Sequence, residues 1–294
     1  TTISPDIPQS FKNYFKKFTT SDNGFVKVVQ AFVFIILFII CIEIIRYAYK
    51  LYKNFRHLSP WILNGTKSGK QRLVIFQNPN RFGYLPIHRS RNQFGGLEFT
   101  YMWWMYIDDW VYRKEYQKHL FHKGNDQMRT TGGTSPQPNC AAGTTDDVRP
   151  VLQCPGVWLD KQTGGVKDNR LVVYMNTYSS TDIEEEITIN NLPTNKWMHF
   201  AISVRQKNVD IYVNGNLAKR HILKDLPKQN NGNLYVNSYQ GFGGFMSNMR
   251  YFNHYTPFTT LEKHLSLGPS SKPCVDTGEK PPYFADKWWL EQNM

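Results

Sequence analysis

The stretch VVQAFVFIILFIICIEII, Val28–Ile45, limits the chain more than any other. In 18 consecutive residues only Gln30 and Glu43 are polar. A helix that is apolar on every side has no face to offer water, so it must lie in lipid or deep inside protein. At 1.5 Å per residue the run covers about 27 Å, close to the ~30 Å hydrocarbon core of a bilayer. Tyr47, Tyr49 and Tyr52 follow where an interfacial aromatic belt would sit. A cleaved signal peptide fits less well, because the run is too long and no small-residue cleavage site follows it. A buried soluble helix would carry more polar residues on one face. Residues 28–45 therefore read as a single transmembrane helix, anchored by side chains such as Phe34 and Leu37, with Arg46 at its end.

Residues 1–27 are polar and basic. Within them Phe11, Tyr14, Phe15 and Phe18 recur at helical spacing after Ser10, a suitable N-cap, while Lys12, Asn13, Lys16 and Lys17 take the other side. That pattern predicts a short amphipathic helix, lying on a membrane surface or packed on a protein partner. Residues 46–72 read as a basic juxtamembrane helix followed by a linker, NGTKSGK, which holds the formal glycosylation sequon Asn64-Gly65-Thr66. Lys12, Lys16, Lys17 and Lys27 precede the apolar run, and Arg46, Lys50, Lys53 and Arg56 follow it. The balance leaves membrane orientation unset. The formal charge is +12, but these flanking clusters suit anionic lipid headgroups better than a nucleic-acid groove. No zinc-finger, helix-turn-helix or RNA-binding motif occurs, so nucleic acid is not an expected partner.

From about Leu73 the period changes to two. In GGLEFTYMWWMYID, Leu97, Phe99, Tyr101, Trp103, Met105 and Ile107 alternate with Glu98, Thr100, Met102, Trp104, Tyr106 and Asp108. Both faces carry bulk near the tryptophan pair, which predicts a central strand or one covered by a loop. RLVIF precedes it, and RLVVYMNT, EEITIN, MHFAISV, VDIYVNG, NLYVN and GFMSNMRYF follow, with turn signals between them. Asn214-Gly215 suits a type I′ hairpin turn, with positive φ at both residues. Residues 124–150, poor in apolar residues and rich in Gly, Thr and Pro, read as a surface insertion. Many short strands without β-α alternation predict an all-β, antiparallel jelly-roll sandwich over 73–270, followed by an aromatic tail, 271–294.

The ordered set GGLEFTYMWWMYID, HLFHKGN, PGVWLD, NRLVVYMNT, NKWMHFAISV, VDIYVNGNL and GFGGFMSNMRYFNHYTP resembles the laminin G-like, concanavalin A-like lectin/glucanase sandwich. With the IHRSRNQFGG lead-in and the late PPYFADKWW, it is similar to versions encoded by large DNA viruses of algae and protists. The resemblance implies a membrane-anchored virion protein: a minor capsid protein that joins an internal membrane to other structural proteins, capsid proteins among them. A glycan-binding adhesion module is the alternative.

Catalysis is not expected. Glycosidases of this fold place three acids at alternate strand positions. Here Asp182, Glu184 and Glu186 alternate, but the order is permuted and Glu185 charges the other face. A solvated, charged strand that resists edge-to-edge association is the better reading of them. His119 and His122, three apart, would point to opposite faces of a regular strand and cannot share a metal. Asp108, Asp109, Asp146, Asp147 and Asp210 fit turns and lack calcium-loop spacing, so neither metal nor cofactor is expected. Of the cysteines Cys41, Cys140, Cys154 and Cys274, only Cys140 and Cys154 flank a loop they could close. Aromatic platforms for a carbohydrate or protein partner would come from Trp104, Tyr106, Trp110, Trp158, Tyr178, Tyr239 and Phe242, and from Trp288 and Trp289 in the tail. Core packing is the competing use of each.

Overall fold

The computed structural model describes residues 9, 23–90, 96–130, 148–162, 169–179 and 184–274. The chain divides into two units, 1–56 and 57–294. The amphipathic segment with Phe11, Phe15, Phe18, Lys16 and Lys17, and the tail with Trp288 and Trp289, lie outside the described residues.

The first unit is built on one long helix, α1 (Gly24–Leu58). Residues Gly24–Tyr52 are long and apolar enough to cross a membrane. Phe34 and Leu37 are exposed on it, and Arg46 pairs with Glu43 one turn earlier at 2.8 Å. That i, i+3 pair partly offsets the cost of the one carboxylate in the apolar run.

The second unit is a sandwich of two antiparallel sheets. One runs in the order β1 (Thr66–Ser68), β14 (Gly243–Phe252), β3 (Glu98–Asp109), β10 (Trp197–Arg205), β11 (Asn208–Val213), β12 (Asn216–Ile222). The other runs β2 (Leu73–Ile75), β13 (Asn233–Val236), β4 (Lys118–Gly124), β7 (Gln153–Leu159), β8 (Leu171–Asn176), β9 (Glu184–Ile189). Strands β5 (Met128–Thr130) and β6 (Val148–Pro150) pair with each other at the base of the insertion.

Alternation explains the core. Phe99, Tyr101, Trp103, Met105 and Ile107 of β3 point between the sheets, joined by Phe200, Ile202 and Val204 of β10. The β3–β10 register sets Trp103 opposite Phe200, with stacked rings 5.4 Å apart. Such a pair contributes about 0.5–1.5 kcal/mol beyond its area burial. Strand β3 is central, between β14 and β10, and its second face is covered as well. Met102 and Ala201 pack there against Phe252 and Leu261, the latter from the short helix α2 (Phe258–Leu267). Pro257 precedes this helix with φ −65°, already helical in φ, and Gly268 closes it by donating its N–H to Leu265 O.

The expected linker is in part sheet. Ile62 and Leu63 are fully buried in the core, and Thr66–Ser68 pairs with Phe245–Ser247 as β1. Backbone hydrogen bonds of an edge strand, rather than apolar periodicity, recruit this Gly- and Ser-containing segment. Asn64 of the sequon is exposed. Cys154 is a free, buried thiol, its pKa pushed up to about 12 by burial, and Cys140 lies outside the described residues. The Asn214-Gly215 turn has φ 50° and 82°, as a type I′ hairpin requires.

Candidate binding face of the second sheet

The outward face of the second sheet gathers most of its buried polar chemistry, starting from an irregularity in β4. The pairing of β4 with β7 shifts between His119 and Phe121. Leu120 and Phe121, consecutive in sequence, therefore both enter the core. The extra residue brings His119 and His122 onto one face, against the expectation that they diverge. Their rings are hydrogen-bonded, His119 Nε2 to His122 Nδ1 at 2.8 Å. A second shift precedes Gly124, where a Cβ would come within 1.8 Å of Leu152 O, so only glycine fits.

The protons of this pair are fixed by its ends. The backbone N–H of Ser238 donates to His119 Nδ1 at 3.0 Å. His119 must then carry its hydrogen on Nε2 and donate to His122 Nδ1. His122 in turn donates from Nε2 to Asn125 O at 2.9 Å. Each ring is neutral in this chain, because a second proton on either would face a donor. Burial pushes His119 well below its ordinary value and His122 down to about 4.

Aromatic rings enclose the pair. Trp158 of β7 meets His119 edge-on at 4.6 Å, Tyr239 lies parallel to Trp158 at 5.9 Å, and Tyr235 of β13 stacks on His122 at 4.8 Å. The Tyr239 hydroxyl donates to Asp126 at 2.8 Å, and Asp126 pairs with Arg72 at 3.3 Å. Farther along the face, Trp158 Nε1 donates to Gln153 Oε1 at 3.0 Å. Arg149 reaches Glu184 at 3.4 Å and lies over the Tyr174 ring at 4.1 Å. Gln117 donates to the Tyr174 hydroxyl, whose pKa burial pushes up to about 12.

The alternating acids separate accordingly. Glu184 and Glu186 face outward, Glu186 exposed and Glu184 held by Arg149 and Gln153. Glu184 is thus largely buried rather than solvated, because a guanidinium and a carboxamide close over it. Glu185 faces inward at the open side of the sandwich, where His221 and the backbone N–H of Lys224 donate to it. Asp182 lies outside the described residues. Asp210 forms a two-pronged ion pair with Arg220, at 2.6 and 2.9 Å, and Asp109 caps the N–H groups of Val111 and Tyr112. Among the described residues no three His, Cys, Asp or Glu side chains converge as metal ligands.

The aromatic candidates do not form one site. Trp104 is buried on the other sheet's outer face against His199, Trp110 is buried beneath the Lys118 amine, and Phe242 is in the inter-sheet core. Burial withdraws these three from direct contact with a ligand, and Trp158, 2% exposed, is withdrawn with them. Tyr106 packs beside Trp197 and Phe245, and Tyr178 is exposed under the Lys228 amine. Among the described candidates only Trp158 and Tyr239 meet, on the face described above. His119, His122, Arg149, Gln153 and Tyr235 belong to the same face. The sequence marks them only through two consecutive apolar residues between two histidines.

Residues 80–256 match the family model of the concanavalin A-like lectin/glucanases superfamily. The chain belongs to this superfamily. No curated protein sequence matches it. Among solved structures, this concanavalin A-like chain is similar to the binding domain of botulinum neurotoxin DC in complex with rat synaptotagmin II. The identity is 14% over 58% of this chain and 35% of that one, with TM-score 0.38. It is also similar to the binding domain of botulinum neurotoxin serotype D, at 10% identity over 57% of this chain and 36% of that one, with TM-score 0.37. The alignments thus span about a third of those chains.

Proposed function

We propose that the chain is a non-enzymatic, single-pass membrane protein. Its concanavalin A-like sandwich docks on other structural proteins of an assembly built over that membrane. The setting that fits best is the interface between an internal membrane and a capsid shell, as in large DNA viruses. The observation that carries this reading is the union of an exposed apolar helix, Gly24–Tyr52, with a sandwich whose outward sheet face is filled by its own side chains. A glycosidase needs two carboxylates free to act as acid and base across a sugar bond. Here Glu184 is tied to Arg149 and Gln153. The resemblance of IHRSRNQFGG and PPYFADKWW to viral versions supports the setting.

Cross-linking mass spectrometry on intact particles or native membranes tests this reading. Cross-links from the sandwich to neighbouring structural proteins are expected, and a sandwich linked to no other protein would sink it. A glycan-binding module is the second reading, favoured by an open pocket of about 730 Å³ beside β2 that holds Tyr235 and Phe76 with charged groups. A glycan array probed with the full chain in lipid nanodiscs separates the two.

A further inference from the structure

The loop between β13 and β14 is held in a costly conformation against the histidine pair. Asn237, Tyr239, Gln240 and Gly241 take φ of 50°, 53°, 68° and 56°. Glycine and asparagine accept left-handed backbone, but tyrosine and glutamine are strained there, and such strain persists only where neighbours impose it. Asn237 Oδ1 and Ser238 Oγ of the same loop are buried with no hydrogen-bond partner among the described residues, which adds a desolvation cost. The ends of the loop are tied to the two sheets, Asn237 N–H to Leu120 O and Phe242 N–H to Gly69 O. Between them, Arg113 donates to Tyr239 O at 3.2 Å and the Tyr112 hydroxyl to Gln240 O at 3.0 Å. The Tyr239 hydroxyl holds Asp126, and the Ser238 N–H rests on His119 Nδ1.

One added proton reverses the Ser238 bond, whichever ring receives it. On His119 the proton must take Nδ1, which faces the Ser238 N–H. On His122 it takes Nδ1, which faces His119 Nε2. That nitrogen must then accept, so His119 carries its own hydrogen on Nδ1 instead. Either way two N–H groups confront each other at the loop. The other charged or titratable groups facing the pair are Tyr235 of β13, Tyr239 of the loop, Asp126 after β4 and Arg72 before β2. β7 presents Trp158, which does not titrate. Asp126 favours the extra proton and Arg72 opposes it, and the two are paired with each other, so neither relieves the clash at Ser238.

We propose that the His119–His122 pair is an acid-sensitive latch: on gaining a proton it releases the strained loop Ser238–Gly241 and lifts Tyr239 off Trp158. The open loop uncovers the Trp158 ring, 2% exposed when closed, beside the Gln153 carboxamide. Burial keeps the closed pair neutral, whereas histidines freed by opening regain their ordinary proton affinity. Each then favours the open loop by up to about tenfold per pH unit below ~6.5. The latch goes beyond the docking reading and does not depend on what the sandwich contacts.

Hydrogen exchange read by mass spectrometry tests it, on the full chain in neutral phosphatidylcholine nanodiscs at pH 7.0 and 5.5. Rates are corrected for the intrinsic pH dependence of amide exchange. Protection of the amides of residues 238–241 should fall about tenfold or more between the two pH values. A local opening exposes little surface, so this exchange should be unchanged by 1 M urea, while that of Ile202 and Val204 in the core of β10 speeds up. His119→Gln and His122→Gln should each shrink the acid response about threefold or more. Gln240→Asn should raise protection of the loop at both pH values, because asparagine tolerates positive φ. No fall in protection, a urea response shared with β10, or an acid response intact in both histidine variants overturns the proposal. Loop protection that stays level or drops in Gln240→Asn overturns the strained latch as well.

Discussion

Four buried histidines give the sandwich a definite response to acid. His119 and His122 form one pair, and His199 and His264 form a second at 2.9 Å beneath α2. Burial, with the partner ring a smaller cause, pushes His199 down to about 3, and burial pushes His264 down to about 4. Each group binds a proton near pH 6.5 when unfolded but resists it when folded. The unfolded chain therefore takes up more protons as pH falls, and stability drops. Thermal melting followed from pH 7.5 to 4 should show Tm constant at the top and falling below about 6.5, by up to ~1.4 kcal/mol per histidine per pH unit. His122→Gln should make the fall shallower, and an unchanged slope would contradict its buried, neutral state. Arg149→Met offers a second residue-scale test. It leaves Glu184, only 8% exposed, without its guanidinium. The expected loss is about 2–4 kcal/mol by chemical denaturation, and Glu184→Gln in the same background should restore part of it.

At the scale of elements, period-two alternation made β3, β8, β10, β11 and β14 legible, because each buries one face against the opposite sheet. β12 was not: Asn-Leu-Ala-Lys-Arg-His-Ile is an exposed edge strand, held by pairing to β11 rather than by apolar burial. α2 was missed because only Leu261 and His264 of its ten residues are buried, and a histidine carries no apolar signal. The histidine face was hidden by the β4 bulge, since regular alternation sends positions three apart to opposite sides. The pair Leu120-Phe121 was the available clue, as two neighbours cannot both face inward on an unbroken strand. The type I′ turn was readable from Asn-Gly alone. Gly215→Val, at φ 82° with Leu265 3.1 Å from the added Cβ, should cost about 1–3 kcal/mol by urea denaturation. Gly215→Asn should cost clearly less, since asparagine tolerates positive φ.

For the whole molecule, the two units make separate predictions. The full chain should resist extraction from membranes at alkaline pH. Phe34→Arg together with Leu37→Arg should release it or block insertion, each charge costing about 2.5–3.5 kcal/mol at mid-helix. Fractionation followed by immunoblotting reads the result, and retention of the double variant would contradict a membrane-spanning α1. The tether meets the sandwich at a corner that is already tied. Thr66 N–H donates to Lys272 O, and Cys274 N–H donates back to Thr66 O. Ile62 and Leu63, just before β1, are sunk fully in the core. A pull arriving along the chain from the membrane side is thus met by a backbone clasp and two apolar plugs before it can reach the central strands. If α1 spans a membrane and neighbouring proteins hold the sandwich, tension in the bilayer would load Ile62 and Leu63 in the core first and the paired strand β1 next, before it reached the central strands.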